Sequence, residues 1–382
     1  MITSTIPTAR GEASPIARAA LLAYVFLIVY ASWFPFSGWH NNGLSPLAFA
    51  QHLNLPRYWT MFDASINVVG YIPLGMLLVY GLYPHIKGLA AIALACSGGV
   101  LLSGTMEAVQ SYLPSRVPSN LDVFTNVAGC CIGAALGALS ARRVLDQSHL
   151  YRLRQRWFAK HASQGLVLLA LWPLAQVYPQ GYLFGHGPLL PILSEWLSWL
   201  LETNIDLATY LRPDTILTIE QYLLSETIIT ACGMTGAALT LLCLMRRGAP
   251  KVILVSTLIA TALLVKALAS ALLFSPQHAF VWITPGAQGG FLIGLVMLGG
   301  LTFAPQVAQR RLAALTILLS LLIVNATPLN PYFTSTLQAW VQGKFLNFNG
   351  AAQILSVLWP FFALWFLWLP SHKLNWTAGV ES

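Results

Sequence analysis

Charge is what this 382-residue chain has least of: Asp, Glu, Lys and Arg make up 8% of it, against roughly 25% in a soluble domain. With 57% hydrophobic residues and a mean hydropathy of +0.67, that shortage excludes an ordinary water-soluble fold and leaves an all-α, polytopic membrane protein. Acidic residues are the scarcer sign, 12 against 20 Lys and Arg, for a net charge of +8. In a soluble chain that excess would suggest nucleic acid. Here loop charges that set topology and touch anionic lipid explain it, so no nucleic-acid partner is expected. Cysteine is also sparse. Cys96, Cys130, Cys131, Cys232 and Cys243 fall inside apolar runs without C-x-x-C or metal-ligand spacing, so they read as packing residues, with no disulfide, metal or cofactor expected. G-x-S-x-G, H-E-x-x-H and the P-loop are missing too.

Hydropathy places about ten spans, at 17–36, 62–83, 88–112, 120–140, 163–184, 222–244, 252–274, 286–304, 312–330 and 351–369. With the N-terminus inside, cytoplasmic segments hold fifteen Lys and Arg. Outer segments hold only Arg57, Arg116, Arg212 and Lys344, and Lys266 is left within a span. That bias puts both termini in the cytoplasm. The first span lacks a small-residue cleavage site and reads as a retained anchor.

The chain reads as three parts: a four-span domain over 1–140, a basic cytoplasmic linker over 141–161, and a six-span domain over 162–382. In the last, 189–211 is expected to form an amphipathic helix on the outer interface, with Trp196 and Trp199 at headgroup depth. Glu195, Glu202 and Asp206 would share its solvated face. Glu226 and Lys266 fall in the outer half of neighbouring spans, where an ion pair would spare each the cost of lone burial.

Against so apolar a background, Asp63, Asn67, Glu107, Gln110, Arg116, Asp122 and Asn126 stand out, because polar and ionisable groups in a bilayer mark functional sites by default. All seven fall near the outer ends of the second to fourth spans. Asp63-Ala-Ser-Ile-Asn67-Val-Val-Gly70 repeats as Asp122-Val-Phe-Thr-Asn126-Val-Ala-Gly129, and each Asp shares a helix face with its Asn. Arg116 can hold two carboxylate oxygens in one fork. Gly70, Gly75, Gly129, Gly133 and Gly137 suggest close helix approach.

Glu107-x-x-Gln110, Arg116 and Asp122-x-x-x-Asn126-x-x-Gly129-x-x-x-Gly133, preceded by Asp63-x-x-x-Asn67 and Pro73-x-Gly75, resemble the VanZ-like family of bacterial membrane proteins over about residues 20–140. The resemblance implies a small multi-span domain in the bacterial cytoplasmic (inner) membrane. One family member is tied to low-level resistance to the glycopeptide teicoplanin. Family members often carry His where this chain has Asn67, and no biochemical activity comes with the resemblance.

Three functions are compatible with these residues. The first is a polar site at the outer face that binds or modifies an anionic amphiphile, such as a lipid-linked cell-envelope intermediate, with membrane lipids as partners. The second is a transporter or flippase, which ten spans would suit although the polar residues lie away from the midplane. The third is a structural membrane protein whose polar cluster locks helices. A carboxylate pair has the ingredients for acid–base work, and whether the chain is an enzyme stays open at this point.

Overall fold

The computed structural model describes residues 14–34, 36, 38–41, 43, 45–51, 59–146, 149–159, 162–211, 217–274, 276–328 and 346–369. Both ends of the chain lie outside these residues, as do Arg10, Arg57, Lys160, Arg212, Lys344 and Lys373 of the topology count. Two compact units emerge, Met1–Arg154 and Gln155–Ser382.

The first unit contains α1 (Pro15–Trp33), the short α2 (Ala48–Gln51), α3 (Met61–Leu82), α4 (Gly88–Gln110) and α5 (Asn120–Ala141). Apolar runs of 19 to 23 residues bounded by N-cap Ser14, Thr60 and Ser119 explain the long helices. The seam between α3 and α5 is made by glycine. A Cβ on Gly129 would stand 2.1 Å from the Val68 carbonyl oxygen, and one on Gly133 would stand 2.0 Å from that of Ile72. Gly137 faces Met76 less closely, its would-be Cβ standing 3.1 Å from the Met76 Cα. The partners advance together along both chains, so the two helices run parallel, with α4 returning between them in sequence. Gly75 closes the seam from the other side, against Cys130. Gly70 differs from the sequence expectation: nothing lies within 4 Å of its would-be Cβ, and its carbonyl accepts the Tyr24 hydroxyl at 2.6 Å.

A π-helical turn (Arg142–Asp146) follows α5 in the first unit, and α6 (His149–Trp157) covers the boundary in sequence between the two units. The second unit then comprises α7 (Ser163–Leu174), α8 (Leu189–Leu201), α9 (Leu207–Leu211), α10 (Ile219–Leu244), α11 (Lys251–Leu273), α12 (Pro285–Leu301), α13 (Gln306–Ala326) and α14 (Leu346–Trp368). Helix α10 is the axis, buried almost throughout its second half, with α7, α11, α12 and α13 packed on it. Arg310 of α13 caps the end of α14 through the Leu367 and Leu369 carbonyls.

Among the described residues, eight helices are long and apolar enough to cross a membrane. The polytopic helical bundle stands, while two of the ten expected spans are short. Helix α12 has 17 residues. The expected span at 163–184 is the larger departure. Its helix stops after 12 residues, about 18 Å at 1.5 Å per residue, too short for a hydrocarbon core of roughly 30 Å. Pro173, Pro179, Gly181, Gly185 and Gly187 explain the stop, because the prolines lack a donor and the glycines favour other conformations. The expected helix over 189–211 is also broken. Glu202 turns left-handed at φ 51° and ends α8, and Asp206 instead caps α9 by accepting the Ala208 amide. The acidic residues therefore do not share one helical face. Trp196 and Trp199 are nonetheless exposed.

Candidate functional site

The parallel seam brings the N-terminal ends of α3 and α5 together, and there the first unit gathers its polar residues. Thr60 caps α3, and its hydroxyl donates to Asp63 at 2.6 Å. Asp63 is exposed and answers the helix N-terminus, where an acid is favourable. One turn on, Asn67 donates to Asp122 at 2.9 Å, tying α3 to α5. Asn126, one turn below Asp122, is buried and donates to Ser103 of α4 at 3.0 Å.

The end of α4 completes the arrangement. Glu107 is buried and accepts the Ser119 amide at 2.8 Å, holding the N-cap of α5. Gln110 donates to the Ser32 carbonyl at 2.8 Å. Arg116 differs from the sequence expectation of a fork around two carboxylates. Its Nε and Nη2 both donate to the Phe34 carbonyl, at 3.1 and 2.6 Å, and Nη2 also reaches that of Ala31 at 3.2 Å. Burial lowers the guanidinium pKa from its ordinary value and the Glu107 charge opposes that shift, so the two are electrostatic neighbours. The helix end itself explains the geometry. The last carbonyls of α1 have no partner within their own helix and attract donors and cations.

Backbone oxygens of Ala31, Ser32 and Phe34 are thus members of this network that a search for polar side chains passes over. Tyr71 is another: it is buried, hydrogen-bonds Ser103 and feels the Glu107 charge. An aromatic residue inside an apolar run carries no signal in the sequence.

The buried Asn126 carbonyl oxygen has no hydrogen-bond partner among the described residues. Asn126→Leu should therefore shift stability by less than about 1 kcal/mol, since it removes one bond worth 0.5–1.5 kcal/mol together with an unsatisfied acceptor. Thermal unfolding in detergent checks this, and a large loss would mean that the oxygen is satisfied in solution.

The second expected pair does not form. Glu226 accepts from Thr284 at 2.5 Å and packs on Gly286, at the N-terminus of α12. Lys266 instead donates to the Tyr178 carbonyl at 3.5 Å. Both are buried, each against a different segment.

Residues 20–141 match the family model described as VanZ/LLP1, a stretch that holds every residue of the network just described. No curated protein and no solved structure matches the chain. The helices and this match together identify a multi-pass membrane protein whose N-terminal segment is VanZ-like.

Proposed function

We propose that the N-terminal unit binds an anionic amphiphile of the cell envelope at the outer face of a bacterial cytoplasmic membrane, with Arg116 meeting the headgroup. Graded burial at one end of the bundle carries this reading. Glu107, Gln110 and Asn126 are buried, whereas Asn67, Arg116 and Asp122 are half-buried and Asp63 is exposed. The deep tier joins helices, and the upper rim is within reach of a ligand. A phosphate or carboxylate arriving there meets a planar, permanently charged guanidinium that would exchange its Phe34 and Ala31 carbonyls for two headgroup oxygens. Sugar or polyol hydroxyls on the same headgroup would find acceptors in Asp63 and Asp122. The exposed apolar surface of Ile66, Val69 and Phe124 offers a path for the tail.

A lipid-linked wall intermediate combines these features, and such a ligand would connect the unit to glycopeptide sensitivity. Glu107 and Asp122 are the groups able to move a proton should the bound headgroup react.

Native mass spectrometry of the purified protein, titrated with phosphatidylglycerol and with phosphatidylcholine, tests the binding. Wild type should retain the anionic lipid preferentially, and Arg116→Lys should narrow the preference several-fold, because lysine keeps the charge and loses the fork. Equal retention of the two lipids by wild type would count against the reading.

A specific observation also favours a purely structural network. Asn67 to Asp122, Asn126 to Ser103, Glu107 to Ser119, Gln110 to Ser32 and Arg116 to Phe34 each join different segments. Such cross-links hold helices in register whether or not a ligand arrives.

A further inference from the structure

The second unit has a polar interior centred on the break after α7. Residues 175–188 are non-helical, and nearly all of them are buried. Irregular backbone in apolar surroundings persists where other groups satisfy it or where it lines a polar space. Four helices supply partners here. Thr230 of α10 donates to the Leu183 carbonyl, Lys266 of α11 to that of Tyr178, and Asn325 of α13 to that of Gly187. The Ser356 carbonyl of α14 accepts the Gly187 amide.

Two features exceed what that bracing needs. The first is Lys266, whose side chain is 3% exposed. Its ammonium has three donors, yet its bond to Tyr178 is 3.5 Å long, at the outer limit for a hydrogen bond. Among the described residues no carboxylate meets it, because Glu226 is committed to Thr284 and Gly286. The carbonyl end of α7 lies at the same break and amounts to only about half a charge. A buried full charge wants a whole counter-charge.

The second feature is a pair of buried amide oxygens, Oε1 of Gln176 and of Gln180, with no hydrogen-bond partner among the described residues. Gln176 cannot cure this by reversing its amide, because its nitrogen donates to the Trp172 carbonyl and also meets His186 Nε2 at 2.7 Å. Gln180 can. Its partner is the Ser356 hydroxyl, which donates as readily as it accepts, and a reversed amide would turn N–H donors toward the interior. These groups form one neighbourhood. His186 bonds Gln176 and feels the Lys266 charge, and its neighbour Gly187 bonds Ser356.

We propose that this interior binds a small oxyanion, a carboxylate or phosphate group, which supplies the counter-charge of Lys266. Gln180, with its amide reversed, provides hydrogen bonds to its oxygens, and Gln176 Oε1 accepts from a hydroxyl on the ligand, while His186 holds Gln176 in place by donating to the Phe184 carbonyl and accepting the Gln176 amide. The same oxyanion chemistry occurs in soluble metabolites and in lipid headgroups.

Thermal unfolding of the full-length protein in uncharged detergent tests the site with three probes: inorganic phosphate, acetate and phosphatidylglycerol, against sodium chloride at matched ionic strength. Wild type should gain a saturable rise in Tm with at least one probe. Phosphate or acetate points to a soluble ligand, and phosphatidylglycerol alone to a headgroup. Lys266→Met should weaken the apparent Kd by roughly tenfold or more, the usual consequence of removing a charge-assisted partner. Its own Tm should not fall, since the variant removes an uncompensated charge. Gln180→Leu should weaken the response by a smaller factor and serves as the test should the methionine variant not fold. Both variants leave Arg116 intact, so lipid binding at the first unit stays a separate readout. A wild type indifferent to all three probes, or a response unchanged in Lys266→Met, would overturn the proposal.

Discussion

Alanine at Gly129 or Gly133 should destabilise the N-terminal unit severely, whereas alanine at Gly70 should leave its Tm nearly unchanged. The added methyl at Gly129 or Gly133 would fall 2.1 or 2.0 Å from a backbone oxygen of α3, a distance no side-chain rotation relieves. The helices would have to separate by more than an ångström along the seam. Overpacking costs about 1–3 kcal/mol in soluble cores and sometimes more. In a bilayer the effect should lie at the upper end, because close packing is itself what holds the helices together. Gly70 occupies the same place as Gly129 in the eight-residue repeat, yet a methyl there meets nothing within 4 Å. Equal losses at Gly70 and Gly129, read by thermal unfolding in detergent, would refute the parallel seam.

The second large effect belongs to Arg116. Arg116→Ala strands the Phe34 and Ala31 carbonyls at the end of α1 and leaves buried Glu107 without its neighbouring cation. Hydrogen bonds donated by a charged group contribute about 1.5–3 kcal/mol, and with two carbonyls stranded the loss should lie near the upper figure, about 3 kcal/mol. Arg116→Lys should lose less, since one ammonium can still reach a carbonyl. Unfolding of both variants in detergent measures the difference. An alanine variant as stable as wild type would mean that the contacts to α1 are not formed.

What the sequence revealed and concealed follows from the kind of signal each feature carries. Asp63, Asn67, Glu107 and Asp122 stood out because such residues are rare in apolar runs. Gly129 and Gly133 were legible by their four-residue spacing. The carbonyls of Ala31, Ser32 and Phe34 had no such mark, since every residue has a carbonyl. Only the fold decides which of them end unpaired beside a donor. Hydropathy read 163–184 as one helix because Trp172-Pro-Leu-Ala and Tyr182-Leu-Phe are as apolar as any span. Glu226 and Lys266 match in depth, but depth says nothing of azimuth, and each side chain turned to its own neighbour. Glu202 could not be placed either, because the left-handed turn that ends α8 has no glycine to announce it.

We propose two tiers at the polar end of the first unit, one that locks helices and one that meets an anionic headgroup. Mass spectrometry of copurifying lipids from wild type, Arg116→Lys and Asn126→Leu, with the Tm of each preparation, tests this most directly. Anionic lipid should be enriched in wild type and in Asn126→Leu and depleted in Arg116→Lys, with the lysine variant still folded. Lipid profiles that are identical in all three proteins, with Tm alone changing, would contradict the upper tier and leave only the lock.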